Sequence, residues 1–279
     1  MSSLPIIEKE ASATSSRQGG PSGASVDADR TNALFEYLLR LGDDSLVLGQ
    51  RLTEWCGHAA ALEVDLSLAN IGLDLMGQAT LFLELAGKTE GKGRDGDRLA
   101  FHRDVLAFRN CLLVEQPNGD FAQTMARQFL FSTWQQLFLD RLTLSSDPRI
   151  AEIAAKAVKE VRYHAEISAD WVIRLGDGTE ESRRRMIEGL DWFWRFVDEL
   201  FEMDLVEAPL VDAGIAVDRR LLRDGFDAAI AAVLNEATVP LPVYPRGITG
   251  GRVGHHSEHL GHLLAPMQYL ARTYPDAAW

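Results

Sequence analysis

The chain has 279 residues, 46% apolar and 25% charged, which is long enough for a large core and ordinary for a globular protein. Its 41 Asp and Glu outweigh 28 Lys and Arg to leave a net charge of −13, a balance that repels phosphate backbones and argues against nucleic-acid binding. No run approaches the roughly 20 apolar residues of a membrane span and no apolar signal core opens the chain, so a cytoplasmic protein is expected.

Residues 1–29 are rich in Ser, Ala and Gly without a periodic apolar face, which predicts a disordered extension. Residues 30–279 read as one helical domain. A first helical unit is expected from Thr31 to about His58, bent near Gly42–Asp43 or Gly49. Cys56 and Cys111 lie in no Cys-x-x-Cys pattern and suit reduced thiols. Trp55-Cys56-Gly57-His58 reads as a buried thiol near a helix end rather than as a ligand pair.

The second helix has the clearest pattern. Leu62, Leu66, Ala69, Leu73, Met76, Thr80 and Leu83 alternate at spacings of four and three, which places them on one stripe of a long helix. Ser67, Asn70, Asp74 and Gln78 interrupt its apolar surface. Further helices are predicted over Leu99–Glu115, Phe121–Leu144, Arg149–Leu175, Glu180–Val206, Asp218–Val239 and Ser257–Arg272. Turn chemistry separates several of them, at 116–119, 146–148 and 176–178. Pro240 to Gly254 reads as an irregular loop, and no alternating β-branched run argues for a sheet. Long helices with short links predict an all-α bundle.

A long four-helix bundle raises the question of a carboxylate-bridged metal pair. Such a site takes Glu-x-x-His from each of two helices, because three-residue spacing sets carboxylate and imidazole one turn apart on one face. The residues three before the seven histidines are Trp55, Leu99, Val161, Arg252, Val253, His256 and His259, and none is acidic. Two places look like worn copies of the motif. In one, Leu75 and Gln78 take the Glu and His places; in the other, Val161 takes the Glu place and His164 survives. Two irons would lack bridging ligands and charge balance there. The polar residues Asn70, Asp74, Gln78, Glu160 and His164 then read as a network inside the bundle, since buried polar groups must be paired. The alternative is a ferritin-like oxidase with an unusual metal site of Asp74, Glu160 and His164.

Four histidines crowd Gly254-His255-His256-Ser257-Glu258-His259-Leu260-Gly261-His262. Zinc is one reading. The plainer one is a helix start, with Ser257 as N-cap, packed against a neighbouring element or subunit. Arg183, Arg184 and Arg185 read as a solvated face, with attraction of a CoA phosphate or an acidic partner as the other reading. Trp192, Phe193, Trp194, Phe196 and Phe201 are too dense for one stripe, so core and interface are expected to share them. No phosphate loop, nucleophile elbow or Rossmann fingerprint is present.

From Leu41 onward the sequence resembles the structural, non-catalytic subunits of bacterial 1,2-phenylacetyl-CoA epoxidases, ferritin-like proteins. The resemblance rests on Leu41-Gly42-Asp43-Asp44, on residues 52–58, on Ala69 to Ala79, on residues 113–122, on Lys159-Glu160-Val161-Arg162-Tyr163-His164, and on residues 258–261 and 267–270. It implies a ferritin-like four-helix bundle with flanking helices and a homologous catalytic subunit that carries the di-iron centre. It further implies a small bridging subunit, and a reductase with FAD and an iron–sulfur cluster that passes electrons from NADPH for ring epoxidation with O₂. No cofactor and no catalytic residue is then expected on this chain, whose worn ligand positions are Leu75, Gln78, Val161 and His164. Contact with phenylacetyl-CoA is an added expectation. An independent helical module without an oxygenase partner is the remaining alternative.

Overall fold

Helix formation begins earlier than the sequence pattern suggests. In the computed structural model, which describes residues 23–243, 247–275 and 277, α1 spans Gly23–Thr53 and so takes in the last residues of the expected extension; residues 1–22 lie outside the described ones. α1 runs as one helix and ends before Cys56, which is exposed in the following turn rather than buried; Cys111 is the buried thiol. Gly42 and Gly49 serve close packing. A Cβ at Gly49 would stand 3.2 Å from the Gly72 carbonyl oxygen, so α1 and its neighbour approach backbone to backbone there.

That neighbour is α2, Leu62–Glu90, antiparallel to α1. After three short pieces, α3 Gly96–Phe101, a 3₁₀ turn Val105–Ala107 and α4 Leu112–Glu115, come the second long pair, α5 Phe121–Leu142 and α6 Pro148–Gly176. The sequence sets their starts locally. Asp120 and Gln123 form a reciprocal capping box on α5, while Asp147 caps α6 with Pro148 in its first turn. The two antiparallel pairs pack with α2 against α6, which makes a ferritin-like four-helix bundle. α5 is buried on nearly every side because α6, α7 (Glu180–Trp194) and α9 (Arg223–Glu236) all cover it. α8 (Ala208–Asp212) and α10 (Glu258–Thr273) lie on α1. No strand occurs among the described residues.

Three predicted helices are broken, and for the first of them the physical reason is plain. Between Phe101 and Leu112 the amides of Arg109, Cys111 and Leu112 donate to the buried carboxylates of Asp43, Asp44 and Glu199 at 2.8, 2.8 and 2.6 Å. Side chains from distant elements thus replace the i→i−4 ladder. Glu199 sits in the break of the expected Glu180–Val206 helix, which ends at Trp194 and resumes as a 3₁₀ turn over Asp198–Phe201. The expected Asp218–Val239 helix likewise begins as a 3₁₀ turn, Arg219–Leu222.

The stripe predicted on α2 is split: Leu83 is buried and Met76 packs against the core, but its leucines nearer the start of the helix face outward. Leu62, Leu66 and Leu73 are 71%, 56% and 67% exposed, while Val64, Leu68, Ile71, Leu75, Ala79 and Phe82 enter the core. Both faces being apolar, α2 has the length and composition of a membrane-crossing helix, although its inner face is packed on α1 and α6.

Candidate functional site

At the centre of the bundle α2 and α6 bring together the worn ligand positions. Leu75, Gln78, Val161 and His164 are all buried. Gln78 donates from Nε2 to Glu160 Oε2 at 3.2 Å and accepts at Oε1 from Gln135 Nε2 at 3.1 Å. His164 Nε2 lies 3.0 Å from Asp74 Oδ2. Four of the five expected network residues therefore meet in two pairs. Asn70 is exposed and outside them, because its position on α2 turns it to the leucine face. Gln135 on α5 is the member that sequence reasoning missed; as one of four glutamines on that helix it carries no signal of its own.

Burial pushes the His164 pKa down against the pull of the Asp74 carboxylate, which keeps the ring neutral. The Asp74 contact assigns the proton to Nε2, so the buried Nδ1 is a bare lone pair without a partner. A ligating histidine has this form, with one nitrogen held by a carboxylate and the other free for metal. The rest of the site does not fit a di-iron centre. Leu75 and Val161 offer no bridging oxygen, and the Gln78 amide is committed on both sides. Burial, with a smaller push from Asp74, raises the Glu160 pKa despite its bond from Gln78. Among the described residues no group of three or more His, Cys, Asp or Glu side chains is placed to hold a metal ion.

A second buried constellation, also missed in the sequence, clamps the irregular segments to α1. Arg252 donates to Asp44 Oδ2 at 2.7 Å and to the Arg40 and Arg109 carbonyls at 3.3 and 3.2 Å. Arg103 pairs with Asp43, and Glu199 accepts from the Gly250 amide at 2.9 Å. Glu115 accepts from Asn110 Nδ2 at 2.9 Å and from the Ser257 amide at 2.6 Å, and lies 2.8 Å from His256 Nδ1. His256 Nε2 is 3.0 Å from the Phe108 carbonyl, so both ring nitrogens are engaged. Ser257 does sit at the N-cap position of α10, but its hydroxyl makes no capping bond; Glu115 instead accepts from the Ser257 backbone amide and so holds the start of the helix. His255 and His262 are exposed, and the histidine run does not converge.

On the surface, Arg184 bonds Glu181 and Glu188, Arg185 bonds Glu181, and Arg183 donates to Thr238 Oγ1 at 2.6 Å. The run is a solvated face already paired with acids and hydroxyls. Phe193, Phe196 and Phe201 enter the core, whereas Trp192 stays 40% exposed under the Arg195 guanidinium.

The sequence model of the phenylacetic acid catabolic proteins matches residues 21–279. The chain belongs to that family. Among its relatives is a subunit of the 1,2-phenylacetyl-CoA epoxidase of Escherichia coli (strain K12), 52% identical over 248 residues that cover 89% of this chain and all of the relative. As a phenylacetic acid catabolic protein the chain joins a ferritin-like bundle to an interior with one bare imidazole nitrogen and no carboxylate at Leu75 or Val161. The polar contacts of that interior include the amide and imidazole bonds that join α2 to α5 and α6.

Proposed function

We propose that this chain is a non-catalytic structural subunit of a 1,2-phenylacetyl-CoA epoxidase of aerobic phenylacetate breakdown in the cytoplasm. It binds and stabilises a homologous di-iron catalytic subunit, alongside a small bridging subunit and a reductase with FAD and an iron–sulfur cluster. The observation that carries this reading is the pair Leu75 and Val161, apolar and fully buried where a di-iron bundle needs glutamates. The exposed leucines of α2 supply the surface such a role requires, since a stable heteromer buries about 2,000 Å² or more of largely apolar area. Held against such a face, the catalytic bundle keeps its ligand-bearing helices in place, a contribution that acts through position.

The bare Nδ1 of His164 favours a second reading, an oxidase with its own metal bound through Asp74, Glu160 and His164. Co-expression with the catalytic subunit separates the two. A stable heteromer with iron confined to the partner supports the structural role, and metal on the isolated chain supports the oxidase. Paired arginines at 183–185 leave phenylacetyl-CoA a peripheral contact at most in this proposal.

A further inference from the structure

Trp134 and Gln135 on α5 are only 2% and 5% exposed, yet each keeps a polar atom without a hydrogen-bond partner among the described residues. One is the indole Nε1, a donor, and the other is the amide Oε1, an acceptor. Unmade hydrogen bonds are costly in a packed interior, and neither side chain is free to turn away. The indole stacks on Phe138 with ring centroids 4.9 Å apart and leans on Phe131 at 5.6 Å. Gln135 Nε2 is committed to Gln78 Oε1 at 3.1 Å, so an amide flip would set oxygen against oxygen. Both residues line the same cavity of about 10 Å³, which also meets Asp44 and Ser45 of α1 and Phe82 of α2. Asp44 accepts from the Cys111 amide and Arg252, and the Ser45 hydroxyl donates to the Leu41 carbonyl at 3.2 Å. What these two still offer the cavity is lone pairs.

The walls select the occupant. It must accept from the indole N–H and donate to a carbonyl oxygen, so a metal cation fails the first demand and a bare anion the second. A volume of this size holds one water, which does both and needs two to four polar partners. We propose that the cavity is a binding site for a single ordered water. The water accepts from Trp134 Nε1–H and donates to Gln135 Oε1, with its second proton directed to the α1 wall of Asp44 and Ser45. It joins the two buried constellations of the chain. Gln135 leads through Gln78 to Glu160 in the bundle interior, and Asp44 leads through Arg252 to the segment before α10. The inference goes beyond the structural-subunit reading and holds independently of it.

The test is a crystal structure of the full chain at a resolution that shows ordered waters. One water within about 3 Å of both Trp134 Nε1 and Gln135 Oε1 is expected. A dry cavity, or a direct bond from either atom to another protein group, overturns the proposal. Solution NMR of the full chain gives a second reading, with the Trp134 indole proton assigned by the loss of its signal in Trp134→Phe. A cross-relaxation peak from water on that proton, of the sign that marks a long-lived water, is expected, and its absence overturns the site. Trp134→Phe keeps the stacked ring and removes the donor. In its crystal structure the water is expected to be lost or displaced towards α1, and an unmoved water at full occupancy overturns the role given to Trp134. If that variant does not fold, the crystal structure of the unmodified chain still decides.

Discussion

Asp74 on α2 and His164 on α6 meet across the bundle with 3.0 Å between Oδ2 and Nε2. The contact ties the two inner helices together and fixes the imidazole tautomer. It also gives the interior its pH sensitivity, because His164 is buried and Asp74 is partly open to solvent.

Burial holds the His164 pKa below its ordinary value of 6.5. As pH falls through about 6.5, the unfolded chain protonates this ring while the folded chain does not. The unfolded state then binds more protons, so stability is expected to fall as pH drops below about 6.5 and to level off once the folded ring also protonates. His164→Gln is expected to remove that component. Chemical denaturation of both proteins at pH 7.5 and 5.5 reads it out as a smaller pH difference in the variant.

Leu75→Glu puts a carboxylate into an interior without a cation beside it. A loss of about 3 kcal/mol or more is expected in urea denaturation, or a shift of the new acid to its neutral form. A variant as stable as the unmodified chain would mean that the interior already holds a compensating positive charge.

Arg252→Met removes the cation that faces buried Asp44 and frees two carbonyls of the clamp. Stability is expected to drop by about 3–5 kcal/mol, the range for stranding a buried charge. Arg184→Met breaks an exposed pair and is expected to change stability little. Melts of the two variants side by side check the contrast.

The sequence made the long helices legible and left two things hidden. Periodicity locates α2, but Val64, Leu68, Ile71 and Leu75 inside repeat at the same spacing as Leu62, Leu66 and Leu73 outside. A helix apolar on both faces has no phase that spacing alone can choose. Gln78 then looks like a break in the apolar surface when it is a core residue bonded to Gln135 and Glu160. The absence of acid three residues before every histidine was local and therefore readable. The clamp was not, since Asp43, Asp44, Glu115 and Glu199 look like any solvated acids until distant backbone amides reach them. Those same long-range bonds interrupt the helix that propensity would continue from Leu99 to Glu115.

Leu66→Glu together with Leu73→Glu changes two exposed side chains on α2 and is expected to leave folding intact. The pair is expected to abolish or severely weaken recovery of the catalytic subunit in a tagged pull-down. Full recovery with a normal melt would move the partner surface elsewhere on the chain.

The measurement that bears most directly on the structural role is the iron and zinc content of this chain, purified alone and then with its catalytic partner. Metal near zero is expected in the isolated chain, and iron in the co-purified complex. Stoichiometric iron bound to the isolated chain would contradict the structural role.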